Sequence, residues 1–363
     1  MPTRPRLTGA LALVVLLALA APVVASSGDR HPSFKLCTSL CEVKRCEPHH
    51  PPLPWHLRAL LWTCADDCAY VCGHRLTDEA DAGREAYHQF FGKWAFHRVW
   101  GIQEPMSVVF SLGNLAVNYR GLLNVTEYVR DDNGLHPWLV VAALVQINTW
   151  FWSTIFHSRD LPLTEKLDYF SAMTTVAFML LYAVVRIFGL QTPKSRSPYC
   201  FKVTAGFAVM VLSHFIYVSS FAHFPYGYHV GVAMVLGLVS NALWIMWTLS
   251  FYIRIPPITL GGRVLTWPYP YPPRNPQLTA RPSQANTPSV LVVLTMLAMS
   301  LEILDFAPLR RTLDAHSLWH LATIPLGEMW WRFLIKDAND LQVAQGGGRL
   351  PLSSNSGVKQ ATN

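Results

Sequence analysis

The sequence predicts an all-α fold: a bundle of seven transmembrane helices preceded by a small disulfide-rich lumenal region. Three observations predict it. Of 363 residues, 51% are hydrophobic and only 14% are charged, whereas a soluble domain carries about a quarter charged residues. The apolar residues fall in seven blocks, roughly 104–120, 138–157, 166–188, 200–221, 228–253, 288–306 and 316–335. A helix needs about 20 residues to cross the hydrocarbon, and all but the first block qualify. Finally, six of the seven cysteines crowd into a short stretch ahead of those blocks.

Residues 1–25 read as a signal peptide. Arg4 and Arg6 give a basic start, Leu7 to Ala20 an apolar run, and Val23-Val24-Ala25 the small residues of a cleavage site before Ser26. Residues 26–100 then form a cysteine-rich lumenal region with an interfacial segment. Cys37, Cys41, Cys46, Cys64, Cys68 and Cys72 lack the C-x-x-C pairs of a zinc ribbon. After a signal peptide they are expected to form disulfides, in a pairing the sequence leaves open. Cys200 is expected to be a free thiol. The stretch from Phe90 to Trp100 sets Trp94, Phe96 and Trp100 beside Lys93 and Arg98, a mixture suited to the membrane interface.

Residues 101–336 form the membrane domain. Its first block is short and carries Asn114 and Asn118. A proline-rich cytosolic loop at 254–288 is expected to lack packed structure, and 337–363 form a cytosolic tail. Signal cleavage puts the N-terminus in the lumen, and seven spans put the C-terminus in the cytosol. Lys194, Arg196, Arg254, Arg263, Arg274 and Arg281 then face the cytosol, while the lumenal connection from Ala222 to Tyr228 has no Lys or Arg. Arg310 and Arg311 are lumenal exceptions. The sequon Asn124-Val125-Thr126 faces the cytosol and is expected to stay unmodified. These loops account for the net charge of +7. No Lys/Arg cluster is interleaved with base-stacking aromatics, so nucleic acid is not an expected partner.

The polar residues inside the blocks carry the chemistry, because such groups are costly at membrane depth. Ser153 and His157 are four apart and share a helical face, as do His316 and His320. Thr164 is placed to cap the third block, with Asp168 about one turn inside it. The topology puts all of these at the lumenal ends of the second, third and seventh helices. Three histidines at one depth suit zinc, which in a catalytic site keeps three protein ligands and a water. The metal brings that water's pKa to about 7. His157, His316 and His320 take the ligand role, Asp168 that of base, and Ser153 that of oxyanion donor. Asp314 is a candidate partner for a ligand histidine. A serine hydrolase built on Ser153, His157 and Asp168 ranks lower, because it leaves His316 and His320 without a role.

Blander roles fit the rest. His49, His50 and His56 are expected to be solvated, and His214, His223 and His229 to pack at the fourth and fifth helices. Glu302 and Asp305 are expected to shape the site or pair with Arg310 or Arg311.

The run from Trp150 through His157 to Asp160, the run from Leu163 to Phe170 and the run from Leu313 to His320 together resemble the Per-type GPI-remodelling family, whose animal members are the post-GPI attachment to proteins factor three proteins. Phe91-Gly92-Lys93-Trp94 and Gln103-Glu104-Pro105 match as well. The resemblance covers about residues 30–335, apart from the proline-rich loop. It implies membership of the CREST superfamily of seven-helix membrane hydrolases, which includes alkaline ceramidases. It implies zinc on His157, His316 and His320, with Ser153 and Asp168 beside it. It implies a zinc-dependent acyl-ester hydrolase that removes the sn-2 acyl chain of GPI-anchored proteins, its lipid substrate. The expected location is the endoplasmic reticulum membrane, with the Golgi membrane, where animal members reside, as the alternative. Two rival functions remain: a ceramidase-like amide hydrolase, and a lipid receptor or assisting factor on the same scaffold.

Overall fold

The structure, a computed structural model, describes residues 26–47, 49–191, 198–221, 224–253, 255–256, 258–260, 263–265 and 283–344. The signal peptide at 1–25, Lys194, Arg196, His223, Arg254, Arg274 and Arg281 lie outside them, as do most of the proline-rich loop and the chain after Ala344.

The described residues are nearly all helical. Four helices make up the cysteine-rich region: α1 (Ser27–Arg30), α2 (Pro32–Arg45), α3 (Trp55–Ala59) and α4 (Cys64–Asp81). Cys37 and Cys41 lie one turn apart on α2, and Cys64, Cys68 and Cys72 line one stripe of α4. The two helices run antiparallel and are joined by nested disulfides Cys37–Cys72, Cys41–Cys68 and Cys46–Cys64. Phe34, Cys72, Leu76 and Phe90 form the small core beside them. So little apolar surface needs such staples. Thr63 opens α4 with a capping box, accepting from the Asp66 amide while Asp66 accepts from Thr63. Cys200 is a free cysteine.

Seven long helices follow: α5 (Pro105–Tyr128), α6 (His136–Ser158), α7 (Pro162–Ile187), α8 (Pro198–Ser219), α9 (Tyr226–Leu249), α10 (Thr287–Leu304) and α11 (Ala315–Ala344). Each overlaps one of the seven apolar blocks. Among the described residues α6, α7, α8 and α9 are long and apolar enough to cross a membrane, and α10 carries a shorter apolar stretch. The chain is a membrane protein on that ground. Two short strands between α9 and α10, β1 (Ile258–Leu260) and β2 (Arg263–Leu265), pair antiparallel within the proline-rich segment.

The helices close into a ring. Neighbours pack in the order α5, α6, α7, α9, α10, α11, and α11 returns to α5, while α8 lies against α7. The return contact depends on a missing side chain. A Cβ on Gly121 of α5 would stand 2.4 Å from the Trp331 ring of α11, so only glycine admits that approach. The Trp331 indole N–H donates to Asn118 at 2.9 Å, and the Asn114 amide donates to the His320 carbonyl at 2.8 Å. The two asparagines of the first block are thus the polar contacts that bind α5 to α11.

The dry core fills one end of the ring, with Leu135, Leu139, Tyr182, Trp247, Leu291 and Leu334 buried together. Arg186 of α7 and Asp337 of α11 meet there in a bidentate pair at 2.6 and 2.8 Å, and both side chains are fully buried. Removing one partner strands a buried charge. Asp337→Ala should therefore destabilise the protein by about 3–5 kcal/mol, read as a lower thermal midpoint in detergent. Arg186→Met with Asp337→Leu should recover most of the loss.

Candidate metal centre

The other end of the ring is polar. There α6 ends, α7 begins, α10 ends, and α5 and α11 begin. The helix register brings His157, His316 and His320 together, with one ligand-capable atom of each within 4.8 Å of the others. His157 occupies the last turn of α6. His316 and His320 share one face of the first turns of α11.

Each ring has a partner for its outer nitrogen. His157 Nδ1–H donates to Glu104 Oε2 at 2.8 Å. His316 Nδ1–H donates to Glu302 Oε2 at 2.7 Å. His320 Nδ1 lies 3.0 Å from Ser111 Oγ. With Nδ1 protonated, Nε2 of each ring is a bare acceptor. Yet His157 Nε2 and His316 Nε2 stand only 3.3 Å apart. Two ring nitrogens in that position share either a proton or a metal cation. Nitrogens at about 2.0–2.1 Å from a tetrahedral zinc are about 3.3–3.4 Å from each other. The donor set therefore fits a three-histidine metal site whose outer nitrogens are oriented by carboxylates and a hydroxyl.

Glu104 is the residue before α5, and Pro105 starts that helix. It is buried, and its amide donates to the His157 carbonyl at 3.0 Å. Lys93 pairs with its second oxygen and lies 3.3 Å from Asp160. Burial works against the Lys93 ammonium, but Glu104 and Asp160 more than offset it, so its pKa is raised and it stays charged. The interfacial segment is thus tied to the centre by an ion pair.

Ser153 makes no side-chain hydrogen bond to the histidines among the described residues. Its Oγ is 3.0 Å from Ser111 Oγ, which in turn meets His320. Asp168 lies in the second turn of α7, because the helix starts at Pro162 with Leu161 as N-cap, not at Thr164. Thr164 Oγ1 instead accepts from the Leu161 amide at 2.9 Å. The Asp168 carboxylate forms no hydrogen bond among the described residues and lies within electrostatic range of His157 and His316.

Asp314 is not a histidine partner. Its Oδ1 accepts from the Ser317 amide at 2.8 Å, and its own amide donates to Ser317 Oγ at 3.0 Å, which makes it the N-terminal cap of α11. Glu302 takes the place beside His316. Asp305 bonds Gln89 and Trp94, and Arg311 pairs with Asp78 and Asp81. His214 and His229 bond each other at 3.0 Å and pack against the rings of Tyr228 and Tyr169. The thiols of Cys46, Cys64 and Cys68 are committed to disulfides. On the exposed faces of α5 and α6 lies an apolar groove of about 580 Å³, lined by Leu112, Ala116, Tyr119, Leu144, Ile147 and Phe151.

The fold and site define a helical membrane protein with a buried three-histidine centre at one end of its bundle. The chain belongs to the Per1-like family, which matches residues 54–338. It is 32% identical over 329 residues to "Protein PER1 homolog" of Schizosaccharomyces pombe, covering 89% of this chain and 91% of that one. It is 33% identical over 339 residues to "GPI-specific phospholipase A2-like PGAP3" of Bos taurus, covering 92% and 96%. It is 33% identical over 331 residues to "Post-GPI attachment to proteins factor 3" of Drosophila melanogaster, covering 88% and 92%. No solved structure matches it. The names of two of these relatives concern GPI anchors, and three disulfides suit an oxidising compartment.

Outer partners of metal-bound histidines typically set affinity by about 10–100-fold. Glu302→Gln and Glu104→Gln should each weaken zinc binding by that factor in chelator competition on the purified protein. Affinities equal to wild type would show that these carboxylates do not orient the rings.

Proposed function

We propose that this protein is a zinc-dependent hydrolase of the sn-2 acyl ester of GPI-anchored proteins. The observation that carries the reading is the pair of bare ring nitrogens 3.3 Å apart, each backed by a carboxylate on its far side. The names of the relatives support the substrate. His157, His316 and His320 would hold the zinc ion, which when bound would supply Lewis-acid polarisation and a water of lowered pKa.

The chain's own residues do the rest. The ester lies between the histidines and Ser153, with its acyl chain along the groove between α5 and α6. Asp168, uncommitted to any other hydrogen bond among the described residues, accepts the proton of the attacking water. The water oxygen bonds to the carbonyl carbon, and negative charge develops on the carbonyl oxygen. With His320 protonated at Nδ1, that nitrogen donates to Ser111 and Ser111 in turn to Ser153. That order leaves the Ser153 hydroxyl free to donate to the developing oxyanion. Collapse breaks the bond to the sn-2 oxygen, and Asp168 returns the proton to it. The products are a free fatty acid and a lyso-lipid still bearing the protein.

In this reading all seven long helices span the membrane. The cysteine-rich region and the centre face the lumen of the endoplasmic reticulum, and the C-terminus faces the cytosol. Oxidised cysteines suit the lumenal side.

The test measures bound zinc and fatty-acid release from a GPI-linked protein in the same purified samples. His316→Ala should lose both together. Asp168→Ala should keep zinc and lose about 10²–10⁴-fold in rate. Zinc bound by a wild-type protein that releases no fatty acid would turn the reading to an assisting factor.

A further inference from the structure

A second concave site flanks the histidine centre. A cavity of about 560 Å³ lies between α4, the segment around Tyr87 to His97, and the loop that joins α10 to α11. That is the size of a small-molecule pocket. Its lining is charged and aromatic rather than apolar, and it includes Asp78, Asp81, Tyr87, Trp94, Arg310 and Arg311.

The two arginines are adjacent but have different commitments. Both have left-handed backbones, with φ of 51° and 56°, a conformation non-glycine residues adopt only when their surroundings impose it. Arg311 turns to α4, where it pairs with Asp78 at 2.6 Å and with Asp81, and donates to His74 Nδ1 at 3.0 Å. Arg310 is exposed and makes no ion pair or hydrogen bond among the described residues. The cavity thus carries one guanidinium already neutralised and one with no partner. The Tyr87 hydroxyl donates to Asp81 Oδ1 at 2.7 Å. Tyr87 and Arg311 together hold the Asp81 carboxyl below its usual range, so it remains an anion. Trp94 is fixed by its indole N–H, which donates to Asp305 Oδ1 at 3.0 Å.

The cavity and the histidine centre are linked through two chain segments. Lys93 reaches Glu104, the partner of His157, while the next residue, Trp94, lines the cavity. Glu302 holds His316, and Asp305, about one turn on, holds Trp94.

We propose that this cavity binds the phosphate-linked aminosugar headgroup of the lipid, with Arg310 on the phosphate, Asp78 and Asp81 on the amine and hydroxyls, and Trp94 against a sugar face. This rests on the deacylation reading above and names the part of the substrate the centre itself does not contact. A guanidinium is the side chain best shaped for phosphate oxygens. Two carboxylates beside it favour a headgroup that also bears a cation. A headgroup held there lies beside the histidines, so the adjoining glycerol esters are brought to them and the acyl chain to the groove between α5 and α6.

The test is calorimetric titration of the detergent-solubilised, full-length protein with water-soluble glucosaminyl-inositol phosphate. Inositol 1-phosphate and glucosamine are titrated separately, and zinc is quantified in each sample. Arg310→Gly removes the guanidinium and relieves the left-handed backbone, so it should fold. Losing hydrogen bonds to a charged group should weaken the probe about 10- to 100-fold, with zinc content unchanged. Trp94→Leu should also weaken it. His316→Ala should lose zinc and keep the probe. No binding by wild type, or equal binding by wild type and both cavity variants, overturns the proposal. Probe binding by a protein that releases no fatty acid would leave the cavity standing and remove the deacylation reading. Deacylation of a GPI-linked protein with KM unmoved by Arg310→Gly would do the reverse.

Discussion

An imidazole buried among helices has two nitrogens, and each must meet a partner of the right polarity. Three such rings share one point here, so the outer nitrogens have to be fixed before the inner ones can face each other. The groups that fix them come from places far apart in the chain. Glu104 stands at the entry to α5, Ser111 lies two turns inside it, and Glu302 lies in the last turn of α10. No pair of consecutive helices can supply all three. The centre therefore exists only because the ring closes and α11 returns to lie between α10 and α5. The closure rests on small-residue packing and interhelical amides: Gly121 beneath Trp331, Asn118 on the Trp331 indole, and Asn114 on the carbonyl of His320 itself.

The two ends of the ring divide the physical work. At one end, large apolar side chains and the buried Arg186–Asp337 pair hold the helices together. At the other, the helix ends leave room for titratable groups, and the cysteine-rich region is anchored there. Arg159 of the α6 terminus donates to Asp66 at 2.7 Å, and the Trp62 indole donates to the Gly101 carbonyl at 2.8 Å. The disulfides make that region rigid enough to act as a wall. Arg311 is pinned to α4 on one side and belongs to the loop entering α11 on the other, so the stapled helix pair fixes the approach to His316.

Much of this was legible in the sequence, for identifiable reasons. The seven long helices follow from apolar block length, and the convergence of His157, His316 and His320 follows from spacing plus alternating direction. Other features depend on contacts that no local pattern records. Arg186 interrupts the third apolar block, and its partner Asp337 lies past the end of the seventh, so nothing in either stretch pairs them. The last helix runs to Ala344 because its polar final turns still bury Asp337, Ala338 and Leu341. Ser111 looked like any small residue of a marginal block. Glu104 carried a faint signal, as an acid directly before the proline that opens a helix. Asp314 misled for the same kind of reason: an acid two residues before a histidine is equally a cap, and the Ser317 amide took it.

The hydroxyl network also weighs the two hydrolytic chemistries against each other. A serine nucleophile needs a histidine base in direct hydrogen bond with its oxygen, and a third group to orient that base. Ser153 has neither. Its oxygen meets Ser111, and Ser111 meets the Nδ1 of His320, one hydroxyl removed from any imidazole. His157, the histidine a serine triad would use, gives its Nδ1 to Glu104 and turns its Nε2 toward His316. Converting this arrangement to a triad would require breaking the Glu104 contact or rotating a buried ring. Keeping it suits a metal ion among the three rings, and leaves Ser153 with a proton to donate. The same hydrogen bonds that orient the rings thus favour a metal-assisted water over a serine as the nucleophile.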